Sequence, residues 1–168
     1  MSGKDIAAEE CEERRIGVIS DTHGVVRDLL HDVLAGVEVI FHAGDVCGEN
    51  VLDELSLIAP VIAVQGNMDY ANRYNPPLPV YRYVDIGFFR FSIAHNIIDL
   101  NQGLKNNKSE NLTNIAIFGH THIPENYREN DIYFMNPGSC GPKRQGKPVS
   151  YSIINLKNRE VTTEIYTI

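Results

Sequence analysis

An α/β fold of two packed, mixed sheets flanked by helices is predicted for this chain of 168 residues, and three observations predict it. Short apolar runs at 16–19, 39–41 and 61–64 alternate with segments of helical periodicity, the pattern of βαβ units and a parallel sheet. After residue 79 the pattern changes to paired strand-like runs around turn residues, which reads as antiparallel hairpins packed on the parallel half. Five of the apolar runs also stop at Asp, His or Asn. Open α/β sheets keep their chemistry just past the carboxyl ends of their strands.

Residues 1–14 carry Asp5, Glu9, Glu10, Glu12 and Glu13 against Lys4 and Arg14. With few apolar residues to bury, they read as an acidic extension, at most a frayed helix, ahead of a single domain at 15–168. The first strand is expected at 15–20 and runs into Asp21-Thr22-His23-Gly24. Val26, Leu29, Leu30, Val33 and Leu34 then share one helical face, giving an amphipathic helix over 26–37 with Gly36 near its end. The run Val39-Ile40-Phe41-His42-Ala43 reads as a buried parallel strand and leaves Gly44-Asp45 at its carboxyl end. A second helix over 50–58 carries Val51, Leu52, Leu55 and Ile58 and is stopped by Pro60.

The third strand, 61–64, leads through Gln65 into Gly66-Asn67-Met68-Asp69, and Pro76, Pro77 and Pro79 exclude regular structure from 69–79. Strands at 80–86 and 88–94 flank Gly87 as a hairpin whose second arm ends in His95-Asn96. The stretch 97–114 is rich in Asn, Lys and Gln, with Ile97, Ile98, Leu100, Leu104 and Leu112 as its apolar points, and supports no more than a short helix. The run 115–118 ends in Gly119-His120-Thr121-His122. Another hairpin, 127–135, turns at Asn130-Asp131. Past Asn136-Pro137-Gly138-Ser139 and a polar loop to Pro148, strands at 149–156 and 160–166 close the chain.

A composition of 43% hydrophobic and 22% charged residues suits one ordinary core. A net charge of −7 argues against stable nucleic-acid binding, which draws on Lys and Arg. A small anion held by metal remains compatible with it. No apolar run approaches the roughly 18 residues of a membrane span, and the N-terminus lacks the basic-then-apolar order of a signal peptide. A cytosolic protein without membrane partners is expected, and a homo-oligomer is compatible with the sequence. Cys11, Cys47 and Cys140 are odd in number and widely spaced, so reduced thiols are expected, with Cys47 a small buried hydrophobe beside Asp45.

Asp21, His23, Asp45, Asn67, His95, His120 and His122 are seven ligand-type residues at five strand ends. A lone His is more often a surface or hydrogen-bonded residue than a ligand, but four of the six histidines fall inside these motifs. Such hard and borderline donors suit divalent ions at hydrolytic sites. Two ions can share the set if one carboxylate bridges. Asp45 is the bridge expected, because its strand should lie between those bearing Asp21 and Asn67. Ions held roughly 3.5–4 Å apart let a bridging hydroxide attack phosphorus while both take up charge on the other oxygens. The histidine content favours Mn²⁺, with Fe, Zn, Ni or Co as alternatives, over Mg²⁺.

Taken in order, Asp21-x-His23, Gly44-Asp45, Gly66-Asn67, His95 and Gly119-His120-x-His122 resemble the motifs of the calcineurin-like metallophosphoesterases. Asn136-Pro137-Gly138-Ser139 is typical of their small single-domain phosphodiesterase branch. The resemblance implies a four-layer αββα sandwich and a dinuclear-metal phosphodiesterase acting on a small phosphoester. It assigns Asp21, His23, Asp45 and His122 to one metal and Asp45, Asn67, His95 and His120 to the other, with Asp45, Asn67 and His95 as the catalytic positions. Two departures stand out. Met68 occupies the position where many members of the wider family carry a His that protonates the leaving group, and Met cannot do so. Asn96 follows His95 where the branch usually has Gly; Asn tolerates a left-handed turn, so the turn is expected to survive. The same fold also admits a phosphomonoesterase or nucleotide phosphatase, and a non-catalytic scaffolding module resembling the retromer subunit.

Other residues carry bland readings beside sharper ones. His31 is read as a helix-face residue, and His42 as packed, with contact to the site as its other reading. Asp69 fixes its turn or serves as an acid. Arg73 and Tyr74 are exposed loop residues within reach of substrate, and Lys143 and Arg144 are either a solvated basic pair or phosphate contacts. Gly24, Gly44, Gly66 and Gly119 let the backbone turn beside the ligands.

Overall fold

The computed structural model describes residues 13–168, so the reading of 1–12 as an acidic extension lies outside it. Ten strands form two five-stranded sheets. The first contains β1 (Glu13–Ile19), β2 (Val39–His42), β3 (Val61–Ala63), β9 (Ser150–Lys157) and β10 (Glu160–Thr167), in the order β10-β9-β1-β2-β3. β1, β2 and β3 run parallel, as the βαβ pattern predicts, and β9 and β10 are antiparallel additions. β2 therefore lies between the strands bearing Asp21 and Asn67. β1 starts earlier than expected: Glu13 and Arg14 pair with Lys157 and Leu156 of β9 and are strand, not extension.

The second sheet contains β4 (Tyr81–Ile86), β5 (Phe89–Ala94), β6 (Thr113–Ile117), β7 (Glu125–Glu129) and β8 (Ile132–Asn136), in the order β4-β5-β6-β8-β7. β5, β6 and β8 are parallel, with an antiparallel partner at each edge. Both predicted hairpins are present, β4-β5 and β7-β8.

Period-2 alternation builds the layers. Ile16 and Val18 of β1, Phe41 of β2, Phe91 and Ile93 of β5 and Ile115 and Ile117 of β6 fill the space between the sheets. The Phe41 and Phe91 rings meet there with centroids 5.0 Å apart. Truncating either to Ala would cost about 3–5 kcal/mol. The residues between them in sequence face outward. Ile19 and Ile40 pack with Leu30 and Leu34 around α1 (Leu29–Val33) and with Val51 and Leu55 of α2 (Glu49–Ser56). On the other side Ala94, Ala116 and Phe118 cover Leu100 and Leu104 of α3 (Ile97–Asn107). The result is helix, sheet, sheet, helix, the four-layer αββα sandwich.

Two helices differ from expectation. α1 is five residues long, although apolar spacing suggests 26–37. The chain before it is held elsewhere: Arg27 donates to the carbonyls of Cys140 (3.2 Å) and Gly141 (2.8 Å), and Gly36 turns the chain with φ +78° at the other end. α3 is longer than its sparse apolar content suggests. Asn96 caps it, accepting from Ile98 N (3.0 Å) and Asp99 N (2.9 Å), and such a cap stabilises a helix by about 1 kcal/mol. Asn96 has φ −118°, so the turn after His95 survives through capping and not through the left-handed tolerance expected of Asn. Among the described residues no helix is long and apolar enough to cross a membrane.

Candidate metal centre

All seven predicted ligands converge at the carboxyl ends of β1, β2, β3, β5 and β6. The loops after β1 and β2 are laced together, with Asp21 N donating to Gly44 O (3.0 Å), His23 N to Asp45 O (3.0 Å) and Gly24 N to Val46 O (2.9 Å). The ligand loops place non-glycine residues in the left-handed region: Asp21 (φ 54°), His23 (47°), Asp45 (53°) and Cys47 (65°) in the laced pair, and His120 (69°) and His122 (59°) after β6. Each such residue costs on the order of 1 kcal/mol or more and persists only where its surroundings over-determine it. Gly66 permits the closest approach. A Cβ there would collide with Asp45 N and Oδ1.

The donor atoms face one another. Asp21 Oδ1 lies 3.0 Å from His122 Nε2, 3.8 Å from His23 Nε2 and 4.0 Å from His95 Nε2. Asp45 Oδ2 lies 3.5 Å from His95 Nε2 and 3.9 Å from His23 Nε2. Asn67 Oδ1 is 3.1 Å from both His95 Nε2 and His120 Nδ1. Two compact groups result, Asp21-His23-His122 and Asp21-Asp45-His95, each with the geometry to hold a metal ion. Asp21, Asp45, His95 and His122 are buried, whereas Asn67 and His120 are exposed. The site is approached from the Asn67-His120 side.

Asp21 Oδ1 is buried and accepts no hydrogen bond despite its short distance to His122. With the His23 and His95 nitrogens they surround a common space, an arrangement a shared cation completes. His95 is oriented for the same purpose: its Nδ1 donates to Ala43 O at 2.7 Å, which leaves the Nε2 lone pair turned toward the carboxylates and Asn67.

Electrostatics keep the carboxylates charged. Burial pushes the Asp21 carboxyl up, but the close His122 imidazole, the Ser20 hydroxyl and the nearby His95 outweigh it, so the net shift is downward. Asp45 behaves alike: burial raises it, and His95 and the Met68 N–H bring it below its ordinary value. Burial also lowers His23, which favours the neutral ring a metal needs. For His95 burial is again the largest single influence, and Asp45, Asp21 and the Ala43 carbonyl together overcome it and raise the imidazole.

Several residues with two readings are resolved. His42 is fully buried; its Nδ1 accepts from Gly44 N (3.2 Å), its Nε2 meets Thr22 Oγ1 (2.9 Å), and burial pushes its pKa down to about 4. It is a neutral tie between two ligand loops. Asp69 accepts from Val46 N (3.1 Å), Cys47 N (2.8 Å), Gly66 N (2.9 Å) and Tyr74 Oη (2.6 Å). Four donors consume the carboxylate, so it fixes its turn and is no acid. Tyr74, expected on an exposed loop, is buried by that bond and accepts from Gly48 N. Cys47 is half-buried with Sγ 3.8 Å from His23 Nδ1, and burial raises its thiol to about 11.

Sequence reasoning overlooked Ser20, which donates to Asp21 Oδ2 at 2.6 Å, and the work of the Asn136-Pro137-Gly138-Ser139 motif. Asn136 Nδ2 donates to Gly119 O (3.0 Å) and Ser139 Oγ to Asp21 O (3.0 Å), joining ligand loops of both sheets. The motif itself was the signal. Beside His120 a recess of about 380 Å³ opens between Asn96, Ile97, Ile98, Phe118 and Thr121.

Comparison with known proteins agrees with this geometry. The profile described as "Calcineurin-like phosphoesterase superfamily domain" matches residues 15–159. A probable metallophosphoesterase of Methanothermobacter thermautotrophicus is 34% identical over 158 residues, 89% of this chain and 90% of that protein. Phosphodiesterase YfcE of Escherichia coli is 28% identical over 110 residues, 62% of this chain and 58% of that protein. Among solved structures, vacuolar protein sorting 29 from Cryptosporidium parvum superposes with a TM-score of 0.72 at 19% identity, over 93% of this chain and 98% of that one. That likeness speaks for the fold alone. The profile spans every strand end that bears a ligand, and the chain belongs to the calcineurin-like phosphoesterase superfamily.

Proposed function

We propose that this chain is a metal-dependent phosphoesterase, and specifically a phosphodiesterase with two divalent ions at the strand-end cluster. The observation that carries the reading is the buried Asp21 Oδ1, free of hydrogen bonds and ringed by the imidazoles of His122, His23 and His95. A cation satisfies that position and all three rings at once. Asp21, His23, Asp45 and His122 would hold one ion and Asp45, Asn67, His95 and His120 the other. Asp45 would serve both, its Oδ2 facing His23 and His95, and Asp21 Oδ1 faces the same two rings. Divalent ions in such a site lower the pKa of bound water to give a nucleophile near neutral pH and take up charge on phosphoryl oxygens. The histidine content sets Mn²⁺, Fe, Zn, Ni and Co above Mg²⁺.

The chain's own groups do the rest. Asn67 contributes a neutral oxygen, so only two carboxylates offset the charge of two ions and the site stays attractive to an anionic ester. The Ala43 carbonyl holds the His95 proton on Nδ1, away from the reacting centre. A diester brings a second organic group, and the recess walled by Ile97, Ile98 and Phe118 beside His120 offers it room. The name of the YfcE relative points the same way. The scaffolding alternative shares this fold, and turnover is what separates the two readings. Metal analysis of protein prepared without chelator, followed by a panel of phosphodiesters and phosphomonoesters, tests the reading. Bound metal with turnover of diesters over monoesters is expected; metal-replete protein that hydrolyses neither would overturn it.

A further inference from the structure

Arg144 reaches the candidate metal centre from a loop that no predicted ligand occupies. Its Nη2 lies 3.3 Å from His23 Nε2, the nitrogen that faces Asp21 and Asp45. The loop carrying it is fastened on both sides of the site. Cys140 N donates to Ser20 O at 3.1 Å, and Lys147 Nζ donates to Thr121 O at 2.6 Å, between His120 and His122. Arg27 grips the Cys140 and Gly141 carbonyls from behind. Among the described residues, no carboxylate pairs with the Arg144 guanidinium.

A guanidinium keeps its charge at any working pH, so its placement here has to be explained by what it meets. The His23 lone pair is the acceptor it finds, and that lone pair is the one a metal would take. With a cation on His23, Arg144 loses this acceptor and is repelled by the charge beside it. An anion at the same place reverses both effects. The non-ester oxygens of a phosphoryl group fit the planar fork of a guanidinium, which donates two parallel N–H bonds to such pairs. We propose that Arg144 binds the non-ester phosphoryl oxygens of the substrate from the His23 side of the cluster. The recess of Ile97, Ile98 and Phe118 lies on the His120 side, so the substrate is oriented with its charged group toward Arg144 and its organic group toward α3. The inference rests on the phosphoesterase reading for its substrate, and its phosphate-binding readout is independent of turnover.

The test compares metal-loaded wild type, Arg144→Gln and Arg144→Lys by calorimetric titration with inorganic phosphate, with metal affinity measured separately and KM and kcat taken on a diester. Arg144 is exposed on a loop, and an unchanged melting temperature confirms that the variants fold. Loss of a charge-assisted pair should weaken phosphate binding and raise KM by about tenfold to a hundredfold for Arg144→Gln, and by less for Arg144→Lys. Metal affinity should stay constant or tighten, because a repelling charge is gone. Unchanged phosphate affinity and KM would overturn the proposal, as would a change confined to metal affinity, since Arg144 would then merely screen His23. Phosphate binding that depends on Arg144 in a protein that hydrolyses no ester sustains this inference and removes the hydrolase reading. Full turnover with phosphate affinity indifferent to Arg144 does the reverse.

Discussion

The loop after β1 and the turn after β3 each bury an aspartate, Asp21 at 0% and Asp69 at 2% exposure, and use it in opposite ways. Asp69 accepts four hydrogen bonds, from Val46, Cys47, Gly66 and Tyr74. Asp21 has one oxygen held by Ser20 and the His120 N–H, while the other is left to face three imidazoles. Both carboxylates lie in the turn after a strand, and neither residue type nor burial separates them. The number of N–H and O–H donors does. A carboxylate whose lone pairs are all taken is a structural tie, and one left short inside a ring of bases is a candidate cation ligand.

The largest expected effect removes the ligand side of this contrast. Asp45→Asn or Asp21→Asn should lower hydrolysis on the order of 10³-fold or more, in line with losing a principal charge at a metal-dependent site. The melting temperature of the metal-free protein should hold or rise, because two close, buried carboxylates become one. Steady-state kinetics and thermal unfolding on the same preparations check both halves. Near wild-type turnover with metal present would sink the assignment.

Asp69 should give the opposite signature. Asp69→Ala strands the Val46, Cys47 and Gly66 N–H groups, and each unpaired buried donor costs about 1–3 kcal/mol. With some relief from entering water, a loss of about 3–5 kcal/mol and a fall of roughly 10 °C in melting temperature are expected. Metal affinity measured below that transition should fall less than for Asp45→Asn. A stable Asp69→Ala protein with abolished turnover would put Asp69 back in the chemistry.

What the sequence revealed and what it concealed divide along the same line. Strands, their parallel order, the four layers and the convergence of seven donor-type side chains were legible because each depends on local periodicity and on which residue ends a run. The fate of Asp69 was not, since two of its partners, Val46 and Cys47, lie 23 and 22 residues away in the loop after β2. The short α1 was hidden for a similar reason, as Arg27 is claimed by carbonyls more than a hundred residues downstream. Glycine was credited with the tight turns, yet Asp21, His23, Asp45, His120 and His122 themselves take left-handed backbones. Only tertiary lacing enforces that.

Acidity separates the apo and metal-loaded states next. In the metal-free protein His42 and His23 are depressed, so their share of stability is lost as pH falls below the ordinary His value of about 6.5. His95 is raised, so its share is full below that value and lost as pH rises through its shifted pKa. Stability of the apo form should therefore peak near pH 6.5. Binding a metal requires His95 to release its proton, so the alkaline decline should disappear and added Mn²⁺ should stabilise more as pH rises. At a free concentration a hundred times Kd the gain is about 2.7 kcal/mol. Melting curves across pH 5–9 with and without metal decide it, and parallel curves would count against a metal site that includes His95.

The smallest effect concerns the departing group. Met68 uses its backbone on the site, its N–H donating to Asp45 Oδ1 at 2.8 Å, while its side chain is 43% exposed and has no proton to give. Asp69, the nearest carboxyl in sequence, is saturated with donors and cannot substitute. The leaving oxygen must then depart as an anion or take its proton from water, which penalises basic leaving groups most. Aryl diesters should be cleaved far faster than alkyl ones, with a steep dependence on leaving-group pKa. Met68→His places an imidazole in the empty role. Positioned general acids are worth 10²–10⁴-fold, and an imidazole without a supporting partner should recover only about tenfold, seen on alkyl esters and not on aryl ones. Asp69→Asn should leave the slope unaltered while lowering stability. If instead the wild-type slope is shallow, or Asp69→Asn steepens it, a proton donor operates at this site and the contrast drawn between the two aspartates fails at its second member.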